Sequence, residues 1–176
     1  GPAKCRSDVR IFNAANTDQA VTVTFFPQGN VDAAQSQEVS LKPGEVLALD
    51  NILVTMFGAT STIGGSLLVS TPQTSSLAAT ARTYAVTHAG TYGQFVPAVT
   101  ANESPSIGGR ALNILQVEQS INMRTNIGLV ETTGKSAVAE VTLIQPDTKF
   151  SSKVQIPLAA NGFTQFNLAS FNVGNA

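Results

Sequence analysis

The chain has 176 residues and a net charge of −1; 12% of its residues are charged and 43% are hydrophobic. This weak, dispersed charge excludes the basic surface that nucleic-acid binding needs, and no apolar run approaches the about 18 residues that span a bilayer. We therefore predict neither a nucleic-acid partner nor membrane insertion. Many Val and Thr residues, with Gly, Ser, Asn and Gln at other positions, favour an all-β domain with a largely uncharged surface.

The first residues give little sign of chemistry. Gly1-Pro2 is typical of the remnant of a cleaved expression tag, so residues 1–4 are assigned to an N-terminal tail. Cys5 is the only cysteine, which excludes an intrachain disulfide and favours a small buried apolar residue over a reactive thiol. Since the chain also has only one histidine, no metal site is predicted.

Short strands are predicted along the first third of the chain. Asp8 to Asn13 and Ala20 to Phe26 alternate between polar and apolar residues. This period of two predicts two strands, either as a hairpin or as a pair that bridges two sheets. Two shorter strands are predicted at Glu38 to Leu41 and Val46 to Leu49, around a turn that contains Pro43 and Gly44.

A short helix is predicted next. Asp50 is a favourable N-cap, the apolar residues up to Phe57 have helical spacing, and Gly58 stands where a helix-ending glycine is expected. Such a helix would cover one open end of a sandwich. Further strands are predicted in the middle of the chain, the first two joined by a Thr-Pro-Gln-Thr turn: Ser66 to Ser70, Leu77 to Tyr84, a short strand ending at Pro97, and Ala111 to Val117.

The chain is similar to itself. Cys5 to Phe26 matches Met123 to Ile144 at a constant offset of 118 residues, so that Arg-Ser-Asp aligns with Arg-Thr-Asn. The later segments recur in the same order, and Asn167 precedes a predicted helix at Leu168 to Val173. Self-similarity of this kind predicts a duplication. We therefore predict an Ig-like β-sandwich made of two pseudo-symmetric repeat units with short end-capping helices.

The two predicted units differ in length. The first covers residues 5–118 and includes extra strands, and the second covers residues 119–176 and shares the same core. After its helix the first unit continues into the hairpin at residues 66–84, for which the second unit has no counterpart. A sheet without those strands would have an open edge. Three explanations stay open: trimming of the chain, a genuinely shorter unit, or completion by another segment or chain.

No catalytic constellation is recognisable in the sequence. His88 lies in a Gly-flanked loop without a nucleophile-elbow motif, no Gly-rich loop carries the Lys of a phosphate site, and the carboxylates form no calcium-binding loop. We predict no enzyme and no cofactor, although two carboxylates distant in sequence could still converge in a deep pocket. Aromatic and amide groups give the candidate ligand-binding residues, which are Tyr84, His88, Tyr92, Gln94 and Phe95.

The repeated triplets supply a second group of candidates. Arg6 and Asp8 share one strand face and could pair side by side, and Arg124 and Asn126 occupy the matching positions in the second unit. We interpret these four residues as structural, setting strand register or covering the open end of the sandwich. Glu118 or Arg82 would complete an ionic cluster with them.

The sequence also resembles a known family. The resemblance covers nearly the whole chain and lies in SDVRIFN, VTVTFFPQG, LKPGEVLALDNILVTMFG and ARTY, and most specifically in GTYGQF and RTNIGLV. These segments are similar to an uncharacterised, duplicated Ig-like β-sandwich domain of secreted multidomain proteins from environmental bacteria. In similar sequences the second unit continues into a final hairpin. The family has no established catalytic residues, and the resemblance implies an extracellular accessory or adhesion role.

We accordingly expect a non-catalytic, extracellular β-sandwich module for protein–protein interaction, adhesion or display, secreted or at the cell surface. Its partner would be a protein or a second chain bound through an open strand edge. A carbohydrate-binding module, with a glycan as ligand, is the alternative. A cleft gathering Tyr84, Tyr92 and Phe95 with nearby amides would favour it.

Overall fold

The computed structural model describes residues 4–72, 76–106, 108–145 and 150–171. Most of this part of the chain is β-strand, so the expectation of a β-rich fold is confirmed. The strands in chain order are β1 Lys4–Asn13, β2 Gln19–Pro27, β3 Gln35–Leu41, β4 Val46–Leu49, β5 Gly65–Ser70, β6 Leu77–Thr87, β7 Gly90–Pro97, β8 Asn126–Val130, β9 Ala137–Gln145, β10 Phe150–Leu158 and β11 Phe163–Asn167. One short α-helix, α1, spans Ile52–Thr55.

The strands form antiparallel sheets. A four-stranded sheet has the order β4-β1-β6-β7, and a three-stranded sheet has the order β3-β2-β5. Thus β1 and β2 lie in different sheets, which selects the bridging pair over the hairpin. In the second half of the chain, β8 pairs with β11 and β9 pairs with β10.

The buried core joins the two larger sheets. Alternate residues of β2 are buried, and Val21 and Val23 are at most 1% exposed. They form one cluster with Val9 and Ile11 of β1, with residues of β3 and with the helical segment. Each fully buried aliphatic side chain contributes about 1.5–3 kcal/mol relative to an exposed one, so this cluster holds the two sheets together.

The helical segment differs from the prediction at its start. Asn51 is the N-cap, with φ at 49° and no side-chain capping bond, whereas Asp50 accepts a hydrogen bond from Arg10 Nη2 at 2.6 Å. The prediction that Asp50 caps the helix is wrong because a cation on the neighbouring strand engages its carboxylate. Gly58 ends the helix as predicted: its φ is 65°, and its N–H donates to Val54 O.

Two other expectations are corrected. Cys5 is exposed and not buried as predicted: β4 pairs with β1 only from Val9 to Phe12, so the start of β1 has a neighbouring strand, β6, on one side only. Ala111 to Val117 alternates like a strand but forms none, with Leu115 82% exposed and Gln116 at a φ of 58°. A strand needs a neighbour for its backbone hydrogen bonds, and alternation alone does not supply one.

The end of the second half partly matches its prediction. Asn167 Oδ1 accepts a hydrogen bond from Ala169 N–H at 2.7 Å, and a 3₁₀ turn follows at Leu168–Phe171. The predicted continuation of that helix to Val173, and the last two residues of the predicted Thr-Pro-Gln-Thr turn, lie outside the described residues. The boundary between two units at residue 118 and their shared core stay predictions.

The second half repeats the pairing order of the first four strands. Val9 faces Leu49 across β1 and β4, and Ile127 faces Phe166 across β8 and β11. Likewise Val23 faces Gln37, and Val141 faces Val154. β8 and β9 stand 118 residues after β1 and β2, whereas their partners β11 and β10 stand 117 residues after β4 and β3. The second half therefore has one residue fewer between β9 and β10 than the first half has between β2 and β3.

Candidate functional site

The β6–β7 hairpin carries the five predicted ligand-binding residues, but it does not gather them. Tyr84 faces Gly93 and Arg82 faces Phe95, whereas Ala85 faces Tyr92 and Thr83 faces Gln94. Residues paired across strands share a face and successive residues alternate, so the hairpin separates the candidates onto two faces. They are Tyr84 and Phe95 on one face and Tyr92 and Gln94 on the other. His88 lies in the exposed turn between the strands.

Tyr84 and Phe95 belong to a polar sheet face that we call the arginine–aromatic face. It consists of Arg6, Asp8, Arg10, Arg82, Tyr84 and Phe95, from β1, β6 and β7. The Arg82 guanidinium lies 4.6 Å from the centre of the Tyr84 ring, and Tyr84 Oη donates to Asp8 Oδ1 at 3.4 Å. A shallow depression of about 210 Å³ lies beside Phe95 on this face. The face combines cations, a carboxylate and rings, and it has no deep cleft.

Asp8 has a structural role as well. Its Oδ1 accepts a hydrogen bond from Asn51 N–H at 2.9 Å, which ties β1 to the start of α1. In the second half, Asn126 Oδ1 accepts from Asn167 Nδ2 at 3.1 Å and ties β8 to the end of β11. The two ion pairs within the described ranges are Arg10–Asp50 and Lys153–Glu140, which include neither Arg6 nor Arg124.

Two buried polar residues, Asn13 and Glu131, were not among the predicted site residues. Asn13 is the last residue of β1, and Glu131 directly follows β8. Asn13 is fully buried: its Nδ2 donates to Thr17 O and Leu41 O, and its Oδ1 accepts from Ala15 N–H. Glu131 is 7% exposed and stands 118 residues later. Turn-forming residues follow both positions, which is the one local signal in the sequence for a buried hydrogen-bonding side chain.

The Glu131 carboxylate is held by backbone donors. Oε1 accepts from Thr133 N–H at 2.6 Å and from the Thr133 hydroxyl at 2.5 Å, and Oε2 accepts from Gly134 at 2.8 Å, Lys135 at 3.2 Å and Asn161 at 3.0 Å. Burial raises the pKa of this carboxyl, but the hydrogen bonds from Thr133, Asn161 and Gly134 outweigh it and lower the pKa to about 2. Glu131 is therefore ionised and fixes two loops; its acceptor sites are occupied from within the chain.

A second surface depression is also open. It has a volume of about 500 Å³ and lies between β3, β4 and the helix, with Glu38, Asp50 and Met56 in its lining. Within the described ranges, no three His, Cys, Asp or Glu side chains are grouped closely enough to hold a metal ion. The same residues include no helix long and apolar enough to cross a bilayer.

Strand edges are the most distinctive surfaces of the molecule. In the described residues, β1 has neighbours on both sides, whereas β8 pairs only with β11. Similarly β2 pairs with β3 and β5, whereas β9 pairs only with β10. In the four-stranded sheet, β7 is the edge strand next to β6, and all eight of its residues are exposed, including Tyr92 at 63% and Phe95 at 65%.

The one-sided pairing of the second half changes its burial. Val21, Val23 and Phe25 of β2 are at most 4% exposed, whereas the residues 118 positions later, Ala139, Val141 and Leu143 of β9, are only half-buried. On the opposite face of β9, Val138 is 62% and Ile144 is 68% exposed. Apolar side chains on both faces thus remain accessible, which is typical of a binding surface.

Comparisons with protein-family models, curated proteins and solved structures find no match.

Proposed function

We propose that the chain is a non-catalytic, extracellular β-sandwich module of two equivalent Ig-like units, whose second unit binds a protein partner by strand addition. The observation that carries the proposal is the contrast between β2 and β9: apolar residues 118 positions apart are buried where β5 is present and half-buried where no counterpart of β5 is described. Extracellular placement rests on the family resemblance and on the uncharged, Thr- and Asn-rich composition.

The equivalence of the two halves extends beyond strand pairing. Gly44 N–H donates to Asn13 O in the first half, and Asn161 N–H donates to the Glu131 carboxylate in the second. Gly44 and Asn161 both have positive φ, at 73° and 56°. A left-handed residue at the matching position of each turn, with its N–H bonded to a buried polar residue, supports a duplication and not a chance similarity of strands.

The first half shows which strands have no counterpart among the described residues of the second half. There β6 pairs with β1 along the whole strand, and β5 pairs with β2 from Thr22 to Pro27. An incoming pair of extended segments would find free backbone donors and acceptors on β8 and β9, with half-buried apolar side chains between them. Backbone hydrogen bonds give affinity in this binding mode, and alternate side chains give specificity. The partner we propose is therefore a protein segment of alternating apolar pattern.

The test uses a peptide with the sequence of residues 65–87, which contains β5 and β6 and serves as a surrogate partner. Bound to the intact chain, it should slow amide hydrogen exchange at least tenfold in β8 and β9 and leave β1 and β2 unchanged, because their edges are occupied. The matched control peptide carries Ala78→Pro and Thr80→Pro, which remove two of the N–H groups that β6 directs towards β1 in the first half. Unchanged exchange in β8 and β9 at saturating peptide would refute strand addition.

A carbohydrate-binding function is the second candidate, and one observation favours it. Phe95, 65% exposed, stands beside Asp8 and Arg82 at the 210 Å³ depression, so a ring platform adjoins polar groups. A glycan at this place would lose affinity in Phe95→Ala and in Arg82→Ala and be unaffected by Tyr92→Ala, because Tyr92 lies on the other face. Equal losses in all three variants, or binding by none of a broad glycan panel, would exclude it.

A further inference from the structure

The backbone of β7 presents half of its polar groups to solvent. Ala98 N–H donates to Ala79 O at 3.2 Å, which places the even-numbered residues of this strand in the hydrogen-bonded pairs with β6. In an antiparallel ladder the alternate residues point their N–H and C=O groups the other way. Thr91, Gly93 and Phe95 therefore direct their backbone groups outward, along an edge at which no further strand is described.

Charge, length and exposure together distinguish this edge from the others: the other uncharged edge strands, β4, β5, β8 and β11, have four to six residues each and are partly buried. Glu38 lies on β3 and Lys153 on β10, and charged side chains on edge strands discourage pairing with other chains. The sequence of β7, Gly90–Pro97, contains no charged residue. The uncharged β5 edge adjoins the second half, where Ser66 Oγ donates to Asn161 O at 3.3 Å. A long, uncharged, fully exposed edge with aromatic side chains is the kind that pairs with another strand.

We propose that a second copy of this chain occupies the edge, with the two β7 strands antiparallel about a two-fold axis at Gln94. The inference does not depend on the partner proposed for the second half. A strand without charge can pair with itself at no cost in like-charge repulsion, and an axis perpendicular to the sheet makes the two surfaces identical. The result is one continuous sheet, in which the four-stranded sheets of the two copies are joined by the paired β7 strands at the centre.

The side chains select this register. With the axis at Gln94, Tyr92 lies opposite Val96 of the second copy, an aromatic and β-branched pair that is favourable in sheets. Phe95 lies opposite Gly93 of the second copy and covers its bare backbone. An axis at Gly93 would instead place Tyr92 opposite Gln94 and Val96 opposite Gly90, which loses both contacts.

The backbone supports the same arrangement. Gly93 and Phe95 both direct their donors and acceptors outward, so each Gly93 exchanges hydrogen bonds in both directions with Phe95 of the second copy. Thr91 N–H donates to Pro97 O of the second copy. Pro97 has no N–H, and its outward-facing position at the strand end is one at which proline is tolerated on an edge.

Disulfide trapping tests the register directly. Opposed residues at the two-fold axis form a non-hydrogen-bonded pair with Cα atoms about 4.5 Å apart, which is within the range for a disulfide. In a Cys5→Ser background, Gln94→Cys should become a covalent dimer under mild oxidation. Thr91→Cys, also exposed but opposite proline, is the matched control and should remain monomeric. The trapped dimer should form equally well in the presence of the 65–87 peptide.

Sedimentation of the unmodified chain tests the association itself. It should be a concentration-dependent dimer, and Gln94→Lys should weaken dimerisation at least tenfold because two like charges then face each other at the axis. Gln94→Thr should dimerise like the unmodified chain. A monomer at every concentration, or a dimer that Gln94→Cys fails to trap, would overturn the proposal. Unchanged circular dichroism of the Lys variant would show that its monomers are folded.

Discussion

Replacing Glu131 with Gln should destabilise the chain more than any other charge-removing substitution among the described residues. The side chain is 7% exposed and accepts four backbone N–H groups and one hydroxyl. Gln replaces one carboxylate oxygen with an amide NH₂ group, which then faces donors instead of accepting from them. Hydrogen bonds to charged groups contribute about 1.5–3 kcal/mol each, and water reaches these turns, so we expect a net loss of about 2–3 kcal/mol.

The pH dependence of stability provides a second test of the role of Glu131. The pKa of Glu131 falls from an ordinary value of 4.5 to about 2 on folding. A carboxyl with a lowered pKa in the folded state stabilises that state above pH 4.5, and this contribution is lost as the pH falls from 4.5 to 2. The Gln variant should therefore lose less stability than the unmodified chain over this interval.

Urea unfolding followed by circular dichroism measures both effects. At neutral pH a loss of about 2–3 kcal/mol corresponds to a Tm lowered by about 5–10 °C for a chain of this size. Glu140→Gln is the matched control: Glu140 pairs with Lys153 on the surface, and the substitution should cost at most about 1 kcal/mol. A Glu131→Gln variant as stable as the control, or one with an unchanged acid transition, would refute the reasoning.

Further predictions concern the core and one turn. Ile11→Ala should lower the unfolding free energy by about 2–5 kcal/mol because Ile11 is fully buried. Ile121→Ala, at a residue that is 99% exposed, should change it by less than about 0.5 kcal/mol. Equal urea midpoints for the two variants would contradict the burial pattern. Gly58→Ala should lower the unfolding free energy by about 1 kcal/mol through the φ of 65° alone, since nothing lies within 4 Å of the added Cβ. Gly58→Asn should recover part of that loss. An Ala variant as stable as the unmodified chain would contradict the left-handed backbone.

Local sequence pattern was sufficient for much of the fold. Alternation predicted β1 and β2, and the glycine at position 58 predicted where α1 ends. These features depend on residues close in sequence, through side-chain period and the backbone freedom of glycine. The offset of 118 residues aligns β1 with β8 and β2 with β9, and the duplication itself stays a prediction.

Alternation failed where a partner strand was required. Ala111 to Val117 has the pattern of a strand and lacks a ladder, because hydrogen bonds between strands are contacts distant in sequence. The capping role assigned to Asp50 failed for a related reason: Arg10, forty residues earlier, engages its carboxylate. In both cases a distant group decided the outcome, which local preference could not specify.

The sequence by itself determined that the chain is β-rich, which residues alternate and where its turns fall, since these follow from composition and local periodicity. Only the tertiary structure decided which side chains share a surface. Strand register places Tyr84 and Phe95 on one face and Tyr92 and Gln94 on the other, and a shift of one residue would have placed Tyr84 on the face of Tyr92 and Gln94. It also decided that β8 and β9 have one neighbour each among the described strands, because pairing partners are chosen by packing across the whole fold.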